Sequence, residues 1–125
     1  MKKRHAHHVD VVVAEKNSEG RSSLCSVVAS LNCVPIPASS GLEAMSAIKQ
    51  GQIDLVLLDV DLTFTGGENT LHEIRKVDPK LPIIMMSGVM TSTLARRLTD
   101  RGAQGFLLKP VQRAHLEMML FQYLL

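Results

Sequence analysis

Short unbroken apolar runs alternate along the chain with segments whose apolar residues recur every three or four positions. "VDVVVA" (9–14) is β-branched and continuous, the composition of a strand buried on both faces. The stretch from Ser18 to Asn32 carries Leu24, Val27, Val28 and Leu31 at helical spacing, with Ser18 as a candidate N-cap. "CVPIPA" (33–38) is extended, and Pro35 and Pro37, which lack an N–H for a ladder, assign it to a sheet edge. "SSGLEAMSAIKQG" reads as a helix opened by Ser40 and closed by Gly51. A second buried strand runs from Ile53 to Leu58. A short helix from Asn69 to Lys76 then turns Leu71 and Ile74 inward. "LPIIMMSG" gives a third buried strand, 81–87, and Thr93 to Arg101 a helix with Leu94 and Leu98 inside, ended near Gly102. "GFLLKP" is the last strand, broken at Pro110, and Gln112 to Leu125 is the closing helix.

Five strands and five helices in strict alternation predict an α/β fold. Right-handed crossovers then make a doubly wound parallel sheet covered on both faces. In such sheets a ligand site lies beyond the carboxyl ends of the strands. Those ends carry Glu15 and Lys16, Asp59, Ser87 and Lys109. One polar residue after a strand usually just begins a loop, but four strands aiming polar residues at one crevice predict a site.

Composition narrows the class further. The 125 residues are the size of one domain, 46% hydrophobic and 21% charged, as in ordinary globular proteins. With no Trp, one Tyr and three Phe there is no aromatic platform for stacking single-stranded bases. A net charge of +2 is too small to imply nucleic acid or membrane as a partner, and no apolar run has the length of a membrane span. Cys25 and Cys33, eight apart, form no metal or redox motif and read as reduced thiols of a cytoplasmic protein. "MKKRHAHH" (1–8) reads as a disordered tail ahead of a single domain, 9–125.

The chemistry concentrates in "DLVLLDVDLTFTGGE" (54–68), where Asp59, Asp61 and Thr63 stand in the order Asp-x-Asp-x-Thr. This resembles the first motif of haloacid-dehalogenase-type phosphatases, with Ser87 and Lys109 standing in for their second and third. That family also needs an acidic pair beyond the lysine, and here only Glu117 follows. The resemblance that covers nearly the whole chain is to the receiver domain of two-component response regulators. Its acidic pair after the first strand falls on Glu15 with Lys16, and its phosphoacceptor on Asp59. Its downstream glycine falls on Gly67, its hydroxyl residue on Ser87, and its Lys-Pro on Lys109 and Pro110. The string "GAQGFLLKP" places its aromatic switch at Phe106, and Gly88 matches the small residue that leaves room for a phosphoryl group.

The resemblance implies a flavodoxin-like sheet of order 2-1-3-4-5 and a signalling function rather than an enzyme's. Asp59 would take a phosphoryl group from a histidine kinase or phosphotransfer protein. Lys109, aimed by a cis bond to Pro110, and Ser87 would neutralise the developing charge. The family's magnesium rests on the acidic pair, the phosphoacceptor and a backbone carbonyl two residues on, hence here on Glu15, Asp59 and the position of Asp61. Lys16, however, replaces the second acid, and a hard cation does not accept an ammonium among its ligands. Binding of magnesium is therefore expected to be weak or absent, with Lys16 near Asp59 or Asp61 in the ion's place. The alternative reading is a phosphate-independent pseudo-receiver that acts as an interaction module. In either case the last two helices and the strand between them are expected to meet an output domain, a partner or a second copy. Leu116, Met119, Leu120, Tyr123 and Leu124 supply one buried stripe, leaving Met118, Phe121 and Leu125 as surplus apolar residues. The chain is expected to be a fragment of a larger protein.

Overall fold

The structure, a computed structural model, describes residues 8–62 and 66–124. The expected tail, apart from His8, lies outside the described residues, as do Thr63 and Leu125. The elements are β1 (Asp10–Ala14), α1 (Ser18–Ser30), β2 (Val34–Ala38), α2 (Gly41–Gln50) and β3 (Leu55–Asp59). They continue as α3 (Gly67–Val77), β4 (Ile83–Ser87), α4 (Ser92–Asp100), β5 (Gly105–Leu108) and α5 (Arg113–Leu124). The strands form one parallel sheet in the order β2-β1-β3-β4-β5, as expected. Pro35 and Pro37 sit in β2, an edge strand, where a missing N–H costs no ladder bond on the open side.

The central strands are apolar throughout because both faces are covered. Every residue of β3 and β4 is buried. Alternate side chains feed two cores. Val12, Ala14, Val56, Leu58, Ile83 and Met85 pack with residues of α2, α3 and α4, including Ala44, Leu71, Ile74 and Leu98. Val11, Val13, Leu55, Leu57, Ile84 and Met86 pack with Leu24 and Val28 of α1 and Leu116 and Leu120 of α5.

Helix starts differ from the sequence reading by one or two residues. Asn17, not Ser18, caps α1, its Oδ1 accepting from the Gly20 N–H at 2.8 Å. Thr91 caps α4 by accepting from the Leu94 N–H at 3.1 Å, so that helix begins at Ser92 rather than Thr93. Helix α3 begins at Gly67, two residues early, because the chain enters it through Gly66 at φ 84° and the Gly67 N–H donates to Val60 O at 2.9 Å.

The end of the sheet away from the predicted site is tied by Arg75, which sequence reading left unremarked. Its guanidinium donates to Gly102 O at 2.7 and 3.0 Å, to Asp78 O at 3.0 Å and to Gln104 Oε1 at 3.3 Å. The same Gln104 oxygen accepts from the Ile83 N–H at 3.0 Å, and Tyr123 Oη donates to Gln104 O at 2.6 Å. One side chain thus joins α3 to the α4–β5 turn, and through Gln104 to β4 and α5. Burial lowers the Arg75 pKa, against the charge of Asp78, while leaving it a cation. Arg75→Met should cost about 2 kcal/mol in urea unfolding, since two half-buried carbonyls, of Gly102 and Asp78, lose a charged donor. Lys76→Met, which removes only an exposed pair with Glu73, should change stability by less than about 0.5 kcal/mol.

Candidate phosphoacceptor site

Asp59 is the last residue of β3, and its side chain is wholly buried. A buried carboxylate needs partners, and the neighbouring strand ends provide them. Lys109, just past β5, brings its Nζ to 3.2 Å from Asp59 Oδ1 and 2.9 Å from Glu15 Oε1. The Asp61 N–H donates to Asp59 Oδ1 at 3.0 Å, and the Lys16 N–H approaches Oδ2 at 3.5 Å. Glu15, only 2% exposed, is held further: its Oε2 accepts from the Asn17 N–H at 3.0 Å, and its own N–H donates to Ala38 O at 3.1 Å.

Lys109 is therefore the cation shared by two buried carboxylates. Burial alone would lower its pKa, but the hydrogen bond to Glu15 and the charge of Asp59 outweigh this, and the pKa stands above the ordinary lysine value. The Lys109–Pro110 bond is cis, and the Lys109 N–H donates to Ser87 O at 2.8 Å.

Lys16 departs from the expectation set out for it. Its side chain is exposed, and among the described residues its ammonium pairs with no carboxylate. The physical reason is that Lys109 already supplies the positive charge that Glu15 and Asp59 require, while Lys16 gains more from solvent. What Lys16 offers Asp59 is its backbone N–H. Asp61 is also exposed, and its contribution to Asp59 is likewise a backbone N–H.

Ser87 is buried at the end of β4, but its hydroxyl is engaged within its own loop. It donates to Val89 O at 2.7 Å and accepts from the Val89 N–H at 3.2 Å. A Cβ placed on the exposed Gly88 would meet nothing within 4 Å, so the approach beside Ser87 is open. Phe106 is half-buried and packs against the core on the α4 side. Two residues on, Leu108 is 55% exposed.

Gly67 closes the other side of the site. A Cβ there would overlap the backbone oxygen of Asp59 and lie 2.8 Å from Asp59 C and Val60 Cα. The first turn of α3 thus rests directly on the peptide that carries Asp59. Just beyond, Glu68 receives Arg97 Nε at 2.9 Å and Arg101 Nε at 3.2 Å, tying α3 to α4. Sequence reading missed both that pairing and Arg21, whose Nη1 donates to Glu15 O at 2.7 Å, because each joins residues on different elements or a helix to a loop, with no local motif.

Of the magnesium set implied by the resemblance, Glu15 and Asp59 lie together on the Lys109 ammonium, and Lys16 stands in place of the second acid. Among the described residues no three carboxylate, imidazole or thiol groups come together as ligands. Both Glu15 oxygens and both Asp59 oxygens already face donors, and Asp61 turns to solvent.

A family model of the response regulator receiver domain matches residues 11–121, and the chain belongs to that family of regulatory domains. It is 34% identical over 86 residues to a probable C4-dicarboxylate response regulator DctR of Bacillus subtilis, covering 69% of this chain and 38% of that protein. It is 30% identical over 87 residues to the transcriptional regulatory protein ZraR of Klebsiella oxytoca, covering 70% of this chain and 20% of that one. The chain thus spans well under half the length of these relatives. Among solved structures, NtrX from Brucella abortus superposes with TM-score 0.87 at 27% identity, over 94% of this chain and 27% of that one. The chemotaxis protein CheY4 of Vibrio cholerae superposes with TM-score 0.89 at 18% identity, over 94% and 99% of the two chains, a likeness of fold. No helix among the described residues is long and apolar enough to cross a membrane.

Proposed function

We propose that this receiver domain accepts a phosphoryl group on Asp59 from a phosphohistidine of a histidine kinase or phosphotransfer protein. The observation that carries the reading is the buried Asp59 carboxylate, 3.2 Å from the Lys109 ammonium at the carboxyl edge of the sheet. In the transfer an Asp59 oxygen bonds to phosphorus as the phosphorus–nitrogen bond of the donor breaks, and the imidazole leaves with the bonding pair. Asp59 Oδ1 is engaged by Lys109 and the Asp61 N–H, which leaves Oδ2, met among the described residues by the Lys16 N–H at 3.5 Å, as the attacking atom. Lys109 remains beside the transferred group and balances its charge. Ser87 must release Val89 to donate to a phosphoryl oxygen, and Phe106, half-buried against the core, is the residue to which we assign the relay of that movement.

Signal output is assigned to the face of α4, β5 and α5. The α5 stripe packs inward as expected, with Leu116 and Leu120 buried and Met119, Tyr123 and Leu124 against the core. Met118 and Phe121, 63% and 67% exposed, are surplus to that core and suit an output domain, a partner protein or a second copy.

The second reading, a phosphate-independent interaction module, is favoured by one observation. Lys16 stands where the family has an acid, and no acidic ligand cluster forms among the described residues. Incubation with acetyl phosphate, followed by intact mass, separates the two. We expect a single phosphoryl adduct on the unaltered chain, none on Asp59→Asn, an adduct retained on Asp61→Asn, and a yield that changes less than about threefold when magnesium is chelated. An unmodified chain under all conditions would leave the interaction module.

A further inference from the structure

The peptide unit that joins Glu15 to Lys16 is engaged at both ends. Its N–H, on Lys16, faces Asp59 Oδ2 at 3.5 Å. Its C=O, on Glu15, accepts from Arg21 Nη1 at 2.7 Å, and the next carbonyl, of Lys16, receives the same nitrogen at 3.4 Å. Arg21 is half-buried in the opening turn of α1, and its own N–H donates to Asn17 O at 2.8 Å. The Lys16 side chain lies in solvent and fixes nothing, so the orientation of this peptide depends on what holds its carbonyl.

A carbonyl bonded to a guanidinium is polarised, and linked hydrogen bonds reinforce one another along the chain of donors. The charge of Arg21 on the carbonyl end therefore strengthens the N–H at the other end, which points at the carboxylate. Positive potential reaches Asp59 through a peptide bond, without a second ammonium entering the site.

We propose that Arg21 is a positioning residue. It holds the Glu15–Lys16 peptide so that the Lys16 N–H donates to Asp59 Oδ2 and to a phosphoryl group bound there. Its kinetic consequence rests on Asp59 being the phosphoacceptor, while its geometric content does not.

The test is a double-mutant cycle on the whole chain, read first at the Lys16 amide resonance and then as phosphorylation rate. Asp59→Asn should shift the Lys16 amide in the unaltered background. In an Arg21→Met background the same change should shift it by about half or less, since the amide no longer reports the carboxylate. Arg21→Lys keeps a donor cation and should retain most of the shift. Phosphorylation by acetyl phosphate should slow about tenfold in Arg21→Met, the factor equivalent to roughly 1.4 kcal/mol, with half-saturation unchanged. It should slow less than about threefold in Arg21→Lys. Equal Lys16 shifts in the unaltered and Arg21→Met backgrounds, or an Arg21→Lys protein as slow as Arg21→Met, would overturn the proposal. If Arg21→Met does not fold, Arg21→Gln, which also removes the cation, takes its place, and a Lys16 shift as large there as in the unaltered background counts against the proposal. If the unaltered chain takes no phosphoryl group, the phosphoacceptor reading fails, and the amide cycle alone still decides whether Arg21 orients the peptide.

Discussion

Gly67→Ala should destabilise the domain by about 3 kcal/mol or more, the range of severe overpacking against a part that cannot give way. The added methyl would overlap the carbonyl oxygen of Asp59 and press on Val60 Cα, and both are backbone atoms at the end of a central strand. A flexible side chain could swing aside, but these atoms are fixed by the sheet, since the Val60 N–H donates to Met86 O at 2.8 Å. Relief therefore requires α3 to lift away, breaking the 2.9 Å bond from Gly67 N–H to Val60 O. Thermal or urea unfolding should show the loss, and acetyl-phosphate labelling should drop with it because Asp59 moves with its peptide. Gly88→Ala is the matched control. Its methyl meets nothing within 4 Å, so the melting midpoint should hold. A Gly67→Ala protein as stable as the original would show that α3 does not rest on the Asp59 backbone.

Lys109→Met should have a comparable effect by a different route. It leaves Glu15 and Asp59 buried side by side without their shared cation, and an uncompensated buried pair costs about 3–5 kcal/mol at neutral pH. The pH dependence should also move from the alkaline side to the acid side. In the unaltered protein the folded Lys109 pKa is raised, so its contribution is fully present below the unfolded value, about 10.4, and is lost as pH rises through the folded value. Without the lysine, two crowded carboxylates hold a proton more tightly folded than unfolded. Stability should then increase as pH falls from about 7 toward 5, where one of them is neutralised. Urea unfolding of both proteins across this range measures the difference. A Lys109→Met protein with the same stability and the same pH profile as the original would remove Lys109 from the charge balance of the site. Phosphoryl uptake should fall with it, because a carboxylate that holds its proton is a poor nucleophile.

The order of elements, the edge position of β2 and the strand-end addresses of Glu15, Asp59, Ser87 and Lys109 were all legible in the sequence. They rest on local rules: apolar runs of strand length, helical periodicity, prolines that cannot enter a central ladder, and a topology with few right-handed solutions. What only the tertiary structure decided is which of two nearby lysines meets Asp59. Charge arithmetic counts Lys16 and Lys109 alike, but the chain direction at the end of β1 turns one side chain to solvent, while that at the end of β5 turns the other inward. The early start of α3 is of the same kind. Asn69 has helical neighbours on its own, whereas Gly67 becomes helical because it alone can lie against the Asp59 carbonyl. Arg21 reaching the Glu15 carbonyl, Glu68 joining Arg97 and Arg101, and Arg75 spanning to Gly102 were equally beyond reach. Each depends on where a long side chain ends in space. Spacing along a strand or helix fixes the face from which such a side chain leaves, and only the packed neighbours fix which acceptor it finds.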